Sequence, residues 1–285
     1  MDDNVKGDNV KVNNLICISD THCGCRAGLC PDDPIRLDGG GFYSSSEEQK
    51  KMYAAWRRFW DEWIPEVTYG EPYAVVVNGD ALDGVHHGTK TQISQNHADQ
   101  ATIAMEIFEP IVEACEGRFY MTRGTEAHVG KSGEMEEGLA RALGAIPDEA
   151  GNHSRYEIFL RMGNGLIHAL HHIGTTGSSH YESTAVMKEL TESYTESGRW
   201  GDDPPDVVVR SHRHRHLEVR VPTKLGYGMV FVTAGWQLKT PLTYRIAGGR
   251  LTTPQIGGSL IRQGKTDLYT RHKVWRMERP VVVDL

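Results

Sequence analysis

Leu15-Ile16-Cys17-Ile18-Ser19-Asp20-Thr21-His22 is an apolar run that ends in a carboxylate and an imidazole. Residues 15–19 have the character of a short buried strand. Directly after it, Asp20 and His22 stand two residues apart, a spacing at which extended chain turns both side chains toward one side. That spacing suits metal ligation. A single Asp-x-His arises easily by chance, so its weight depends on how the other strands end.

They end alike. Tyr73 to Val77 leads through Asn78-Gly79 into Asp80-Ala81-Leu82-Asp83-Gly84, where glycine permits a tight turn that frees the Asp80 carboxylate to bridge two cations. A third strand, Arg118 to Thr122, runs into Arg123-Gly124-Thr125-Glu126-Ala127-His128. A hairpin of residues 156–161 and 166–171, turning at Gly163-Asn164-Gly165, finishes in His168-Ala169-Leu170-His171-His172. The strand Asp206 to Arg210 runs into Ser211-His212-Arg213-His214-Arg215-His216. Successive strand ends thus deliver Asp, Glu or His, and α/β sheets build their sites at the carboxyl edge of their strands.

Between these strands the pattern is helical. Met52, Trp56, Phe59, Trp60 and Trp63 recur at helical spacing, with Pro65 expected to stop that helix. Further helices are predicted over 95–114, over 135–143 with Gly144 closing it, and over 183–196. Leu217 to Val221, Met229 to Val232 and Thr270 to Val283 read as antiparallel strands. Parallel-type units followed by hairpins predict two mixed sheets rather than a Rossmann sheet. The connection over residues 23–72 exceeds a common βα loop and has the length to cap a substrate cleft.

Composition sets the outer limits. With 285 residues, 39% hydrophobic and 24% charged, the chain is expected to form a single domain over 14–285 behind a flexible polar tail, 1–13. A formal charge of -7 excludes a globally basic nucleic-acid surface. The chain carries no apolar run of bilayer-spanning length and no signal-like N-terminus, which predicts a cytoplasmic protein with no membrane partner. Cys23, Cys25 and Cys30 crowd one loop but lack the second pair of a zinc finger, so the five cysteines read as free thiols. Gly39-Gly40-Gly41 lacks the Lys-Ser/Thr ending of a phosphate-binding P-loop.

The ordered blocks resemble those of calcineurin-like metallophosphoesterases: D-x-H, G-D-x-x-D, G-N-H, a histidine usually followed by glycine, and G-H-x-H. Here they stand as DTH, GDALD, GTEAH, HH and SHRH, between Asp20 and His214. The GTEAH form is similar to phosphoesterases of phage and prophage genomes. The resemblance implies a four-layer α/β/β/α sandwich of two mixed β-sheets flanked by helices. It also implies two metals, one held by Asp20, His22 and His214, the other by His171 and His212, with Asp80 bridging. In the divergent third block, Glu126 is expected to supply a metal oxygen, with Thr125 as its rival, and His128 the leaving-group proton. His171 is preferred to His172, which falls at the family's glycine position.

A mixed histidine and carboxylate set suits Mn first, then Fe, Zn or Ni, over Mg or Ca. Two such cations roughly 3.5–4 Å apart share a water, lower its pKa and supply the attacking hydroxide. Asp83 is expected to orient a ligating histidine rather than to ligate. Arg123 and Arg213 are candidates for gripping substrate phosphate through their guanidinium forks. His86, His87 and His97 read as solvated loop residues. The expected function is hydrolysis of a phosphodiester of nucleotide or nucleic-acid type. The alternatives are a phosphomonoesterase, a DNA or RNA nuclease, and a catalytically weak metal-binding interaction module.

Overall fold

The computed structural model describes residues 11–175, 179–224, 226–245, 252–277 and 281–285. Most of the anticipated N-terminal tail, residues 1–10, lies outside these. The first strand, β1 (Asn14–Ile18), is buried at every position. A small hairpin, β2 (Ile35–Arg36) and β3 (Phe42–Tyr43), precedes the helix α1 (Glu47–Arg58). Ser46 caps α1 in a capping box with Gln49. The next strands are β4 (Ala74–Asn78), β5 (Phe119–Thr122) and β6 (Ser154–Arg155). The hairpin β7 (Glu157–Met162) and β8 (Gly165–Leu170) follows, then β9 (Val207–Arg210), β10 (Leu217–Thr223), β11 (Gly226–Val232), β12 (Gln255–Gln263) and β13 (Leu268–Arg276).

These strands form two mixed sheets. The first has the order β13-β12-β1-β4-β5-β6 and the second β10-β11-β9-β8-β7. β1, β4, β5 and β6 run parallel in the first sheet, and β8, β9 and β11 run parallel in the second.

Period-2 alternation divides the burial into layers. Ile16, Ile18, Val75 and Val77 face outward from the first sheet, onto Trp56, Phe59, Ile103 and Phe108 of the covering helices. Their neighbours Leu15, Cys17, Ala74 and Val76 face the opposite way, onto Ile158, Ile167, Val207 and Phe231 of the second sheet. On the far side of that sheet, Val208, Val230 and Val232 pack against Val186 and Leu190 of a long helix, Glu182–Trp200. The molecule is therefore the expected helix, sheet, sheet, helix sandwich. Full burial of each such aliphatic side chain is worth about 1.5–3 kcal/mol.

Two expectations need correction. Pro65 does not end its helix. A π-helical turn over Phe59–Trp63 intervenes and a new α-helix, α2 (Ile64–Thr68), starts at Ile64. Pro65 falls in the first turn of α2, where its missing N–H leaves no bond unmade. The stretch 270–283 is also not one strand: β13 ends at Arg276, residues 278–280 lie outside the described set, and its partner β12 was not anticipated. β12 inserts antiparallel between β13 and β1. The described helices include none long and apolar enough to cross a membrane.

Candidate metal centre

Because β1, β4 and β5 run parallel in the first sheet and β8 and β9 in the second, one edge of each sheet carries the carboxyl ends of these strands. Asp20 lies two residues past β1 and Asp80 two past β4, Thr125 follows β5, His171 follows β8, and His212 lies two past β9. The two sheets meet at that edge through a chain of side-chain hydrogen bonds. Thr122 Oγ1 donates to Asn78 Oδ1 at 2.8 Å, and Asn78 Nδ2 donates to Ser211 Oγ at 2.7 Å. Ser211 Oγ lies 2.8 Å from Thr233 Oγ1, which lies 2.6 Å from Ser19 Oγ. Ser19 Oγ donates to Asp20 Oδ2. The seam is thereby fixed by buried polar side chains that bond to one another across the two sheets.

Two Asp/His clusters sit on this seam. In the first, Asp20, His22 and His214 converge, with His214 Nε2 3.1 Å from Asp20 Oδ1 and 3.2 Å from His22 Nε2. In the second, Asp80, His171 and His212 converge, with His171 Nε2 3.1 Å from Asp80 Oδ2. Asp80 also groups with His22 and His128, so it lies between the two. Asp20, His22, Asp80 and His171 are buried, whereas His212 reaches the exposed rim.

Backbone strain marks the same residues. Eight described non-glycine residues have left-handed φ, and five are Asp20 (53°), His22 (43°), Asp80 (52°), His212 (73°) and His214 (50°). Such conformations cost about 1–3 kcal/mol each and persist where the surroundings impose them. Here Asp20 N donates to Gly79 O, and His22 N to Asp80 O, each at 3.0 Å. Gly79, at φ 80°, has no room for a side chain: a Cβ there would lie 2.5 Å from His171 Nδ1.

The donor set fits divalent cations. His171 turns Nδ1 onto Asn78 O at 2.7 Å, leaving Nε2 for the cluster. Such a bond is how a metal-binding histidine is held. His22 Nδ1 lies 3.5 Å from Asp83 Oδ1 without a hydrogen bond, and its Nε2 faces His214 Nε2 at 3.2 Å. Asp20 Oδ1 is buried without a hydrogen-bond donor, as an oxygen reserved for a cation would be.

Electrostatics agree. Burial alone would raise the Asp20 carboxyl, but His214 and His171 together hold the group below the usual range. Asp80 is held well below by His171, against the same burial. Burial works against a charged His171, yet Asp80 overrides it and lifts the imidazole to about 10. These carboxylates and the imidazolium thus stabilise one another.

The third block departs from expectation. Glu126 is exposed at the start of a short helix, Glu126–Val129, and belongs to neither cluster. Its neighbour Thr125 stands at the centre. Thr125 Oγ1 lies 3.1 Å from Asp80 Oδ2, 3.1 Å from His212 Nδ1 and 3.4 Å from His171 Nε2. His172 is exposed and its ring is edge-on to His171. His128 packs against the ring of His22 and turns Nδ1 onto Asp83 O at 2.6 Å. Burial pushes its imidazole down to about 4, with His22 adding to the effect.

Asp83 meets His22 and His86, each at 3.5 Å, and accepts from Gln92 Nε2 at 3.0 Å. Contrary to the solvated reading, His86 is largely buried and packs on His128. The arginines turn elsewhere. Arg123 lies over the Tyr156 ring at 4.6 Å and donates to Ser154 Oγ at 3.2 Å, Arg213 donates to Gly174 O, and Arg215 pairs with Glu182 at 3.2 Å. Sequence reasoning missed the Asn78, Ser211 and Thr233 seam, and also Glu136, whose carboxylate accepts from Ala81 N and Gly124 N in the loops after β4 and β5. The one local signal for the seam was a polar residue closing each apolar run.

Strand-end Asp and His residues converging on the seam of two mixed sheets define a candidate metal centre in an α/β/β/α sandwich. The chain is similar to Vacuolar Protein Sorting 29 from Cryptosporidium parvum, at 10% identity and a TM-score of 0.39, over 93% of this chain and 98% of that one. It is also similar to a metallophosphoesterase from Sphaerobacter thermophilus, at 8% identity and a TM-score of 0.37, over 94% of this chain and 89% of that one. No protein-family model and no curated protein matches the sequence.

Proposed function

We propose that this chain is a phosphoester hydrolase that works with two divalent cations and takes a phosphodiester of nucleotide type. The observation that carries this reading is the pair of Asp/His clusters with Asp80 between them. Asp20, His22 and His214 would hold one ion and Thr125, His171 and His212 the other, with Asp80 shared. Bound there, such ions act as Lewis acids on phosphoryl oxygens and lower the pKa of water, and Mn suits the mixed donor set best.

The chain's own residues supply the rest. His128 donates its Nδ1 proton to Asp83 O, which fixes the ring, and Nε2 would hold a proton for the departing oxygen in the imidazolium form. An anionic phosphoester bound beside it would favour that imidazolium, since a nearby negative charge stabilises the charged ring. Such a proton donor typically contributes about 10²–10⁴-fold.

The diester preference is supported by the arginines. Arg123 and Arg215 are committed to Tyr156 and Glu182, whereas a dianionic monoester favours a free guanidinium fork. The test is hydrolysis by metal-stripped protein of bis-p-nitrophenyl phosphate, p-nitrophenyl phosphate and labelled oligonucleotides, with Mn, Zn, Ni or Mg restored. Turnover of the diester above the monoester is expected with Mn. Absence of turnover with every metal would sink the reading.

A further inference from the structure

Glu136 belongs to none of the sequence blocks, yet its side chain is fully buried beside them. It is the third residue of the helix Glu134–Ala142. One carboxylate oxygen, Oε1, accepts the Ala81 N–H at 2.8 Å, and the other, Oε2, accepts the Gly124 N–H at 2.6 Å. Ala81 is the residue after Asp80, and Gly124 is the residue before Thr125. The two loops also meet directly, since Thr125 N donates to Asp80 Oδ1 at 2.6 Å and Thr125 Oγ1 to Asp80 Oδ2 at 3.1 Å. There is no slack between them. A Cβ on Gly124 would lie 2.1 Å from Asp80 Oδ1.

We propose that Glu136 is the positioning residue of the metal centre, a two-pronged clamp that fixes the separation of the Asp80 and Thr125 loops and thereby sets ligand geometry. The inference rests on the metal reading above. Its chemical core is that two backbone donors meet two different oxygens, which a carboxylate satisfies and a carboxamide cannot. Glutamine has the same shape, but its NH2 group would face one N–H donor head-on. A buried carboxylate is costly unless hydrogen-bonded. Burial and the nearby Asp80 raise Glu136 to about 7, so it carries this cost at the point where both loops depend on it.

The test uses Glu136→Gln in the full chain, with Glu137→Gln as control, because Glu137 accepts from the backbone of His153 and Ser154 instead. Mn and Zn uptake by metal-stripped protein would be measured by equilibrium dialysis. Exchange of the backbone amides over 79–84 and 123–126 would be followed by mass spectrometry. The expected result is a folded Glu136→Gln protein that binds metal about 10–100-fold more weakly and exchanges both segments faster, while Glu137→Gln matches the wild type. Undiminished affinity in folded Glu136→Gln overturns the proposal.

If that variant does not fold, Glu136→Asp keeps both oxygens one methylene further back. Weaker uptake by the aspartate variant supports the clamp, and unchanged uptake overturns it. A wild-type chain that takes up no ion overturns the metal reading and the clamp together. Wild-type uptake with an undiminished variant overturns the clamp alone.

Discussion

Thr125 and Glu126 are neighbours, yet one lies among Asp80, His171 and His212 while the other faces solvent. Their chemistry would suggest the opposite, since a carboxylate is the stronger ligand. Thr125→Ala should therefore weaken binding of one ion by about tenfold or more, and Glu126→Ala should leave the metal content at the wild-type value, both read by equilibrium dialysis. Loss of metal in Glu126→Ala would restore the carboxylate as ligand. Protonation gives a second residue-scale prediction. His171 is raised to about 10 by Asp80, against its burial. In the metal-free chain this contribution to stability is fully present below the ordinary histidine value of about 6.5 and lost as pH rises through about 10. A cation needs the imidazole neutral, so uptake near pH 7 should release protons and tighten as pH rises. Calorimetry in two buffers of different ionisation enthalpy checks this, and equal heats in both would refute it.

At the scale of elements, each strand delivers its ligand through a short turn whose backbone the neighbouring loops dictate. Gly124→Ala would drive a methyl group into Asp80, so it should cost about 1–3 kcal/mol and lower metal uptake, seen in urea unfolding and dialysis together. A silent substitution would mean that the loops have room to part. The helical layer behaves differently, because its role is packing. Trp56 is buried edge-on against Trp236 at 4.9 Å and Phe108 at 6.3 Å. Trp56→Ala should destabilise by about 3–5 kcal/mol while leaving metal affinity of the folded fraction unchanged. The aromatic spacing was legible because helical periodicity survives in sequence. The π-turn over Phe59–Trp63 was not, since it shifts the frame of a helix without altering its composition. β12 escaped notice for a related reason. Gly257-Gly258 interrupts its apolar run, and its place between β13 and β1 is created by partners at distant positions.

For the whole molecule, an ion bound where the two sheets join would tie the stability of the fold to that ion. Saturating Mn at about 100 times its Kd should add about 2.7 kcal/mol of stability, visible as a rise in Tm that a chelator reverses. A Tm indifferent to metal would mean that the clusters are structural polar contacts alone. The sequence by itself determined that an α/β chain ends successive strands in Asp20, Asp80, His171 and His212, because strand periodicity and ligand chemistry are local properties. It also placed His22 and His214 beside two of them. Only the tertiary structure decided that Thr125 rather than Glu126 faces the cluster, that Glu136 ties two loops from a distant helix, and that Asn78, Ser211 and Thr233 close the seam. Adjacent residues at a turn point in different directions, and the direction is set by what packs against the turn. Spacing along the chain therefore names the strand end but not the atom that reaches the site.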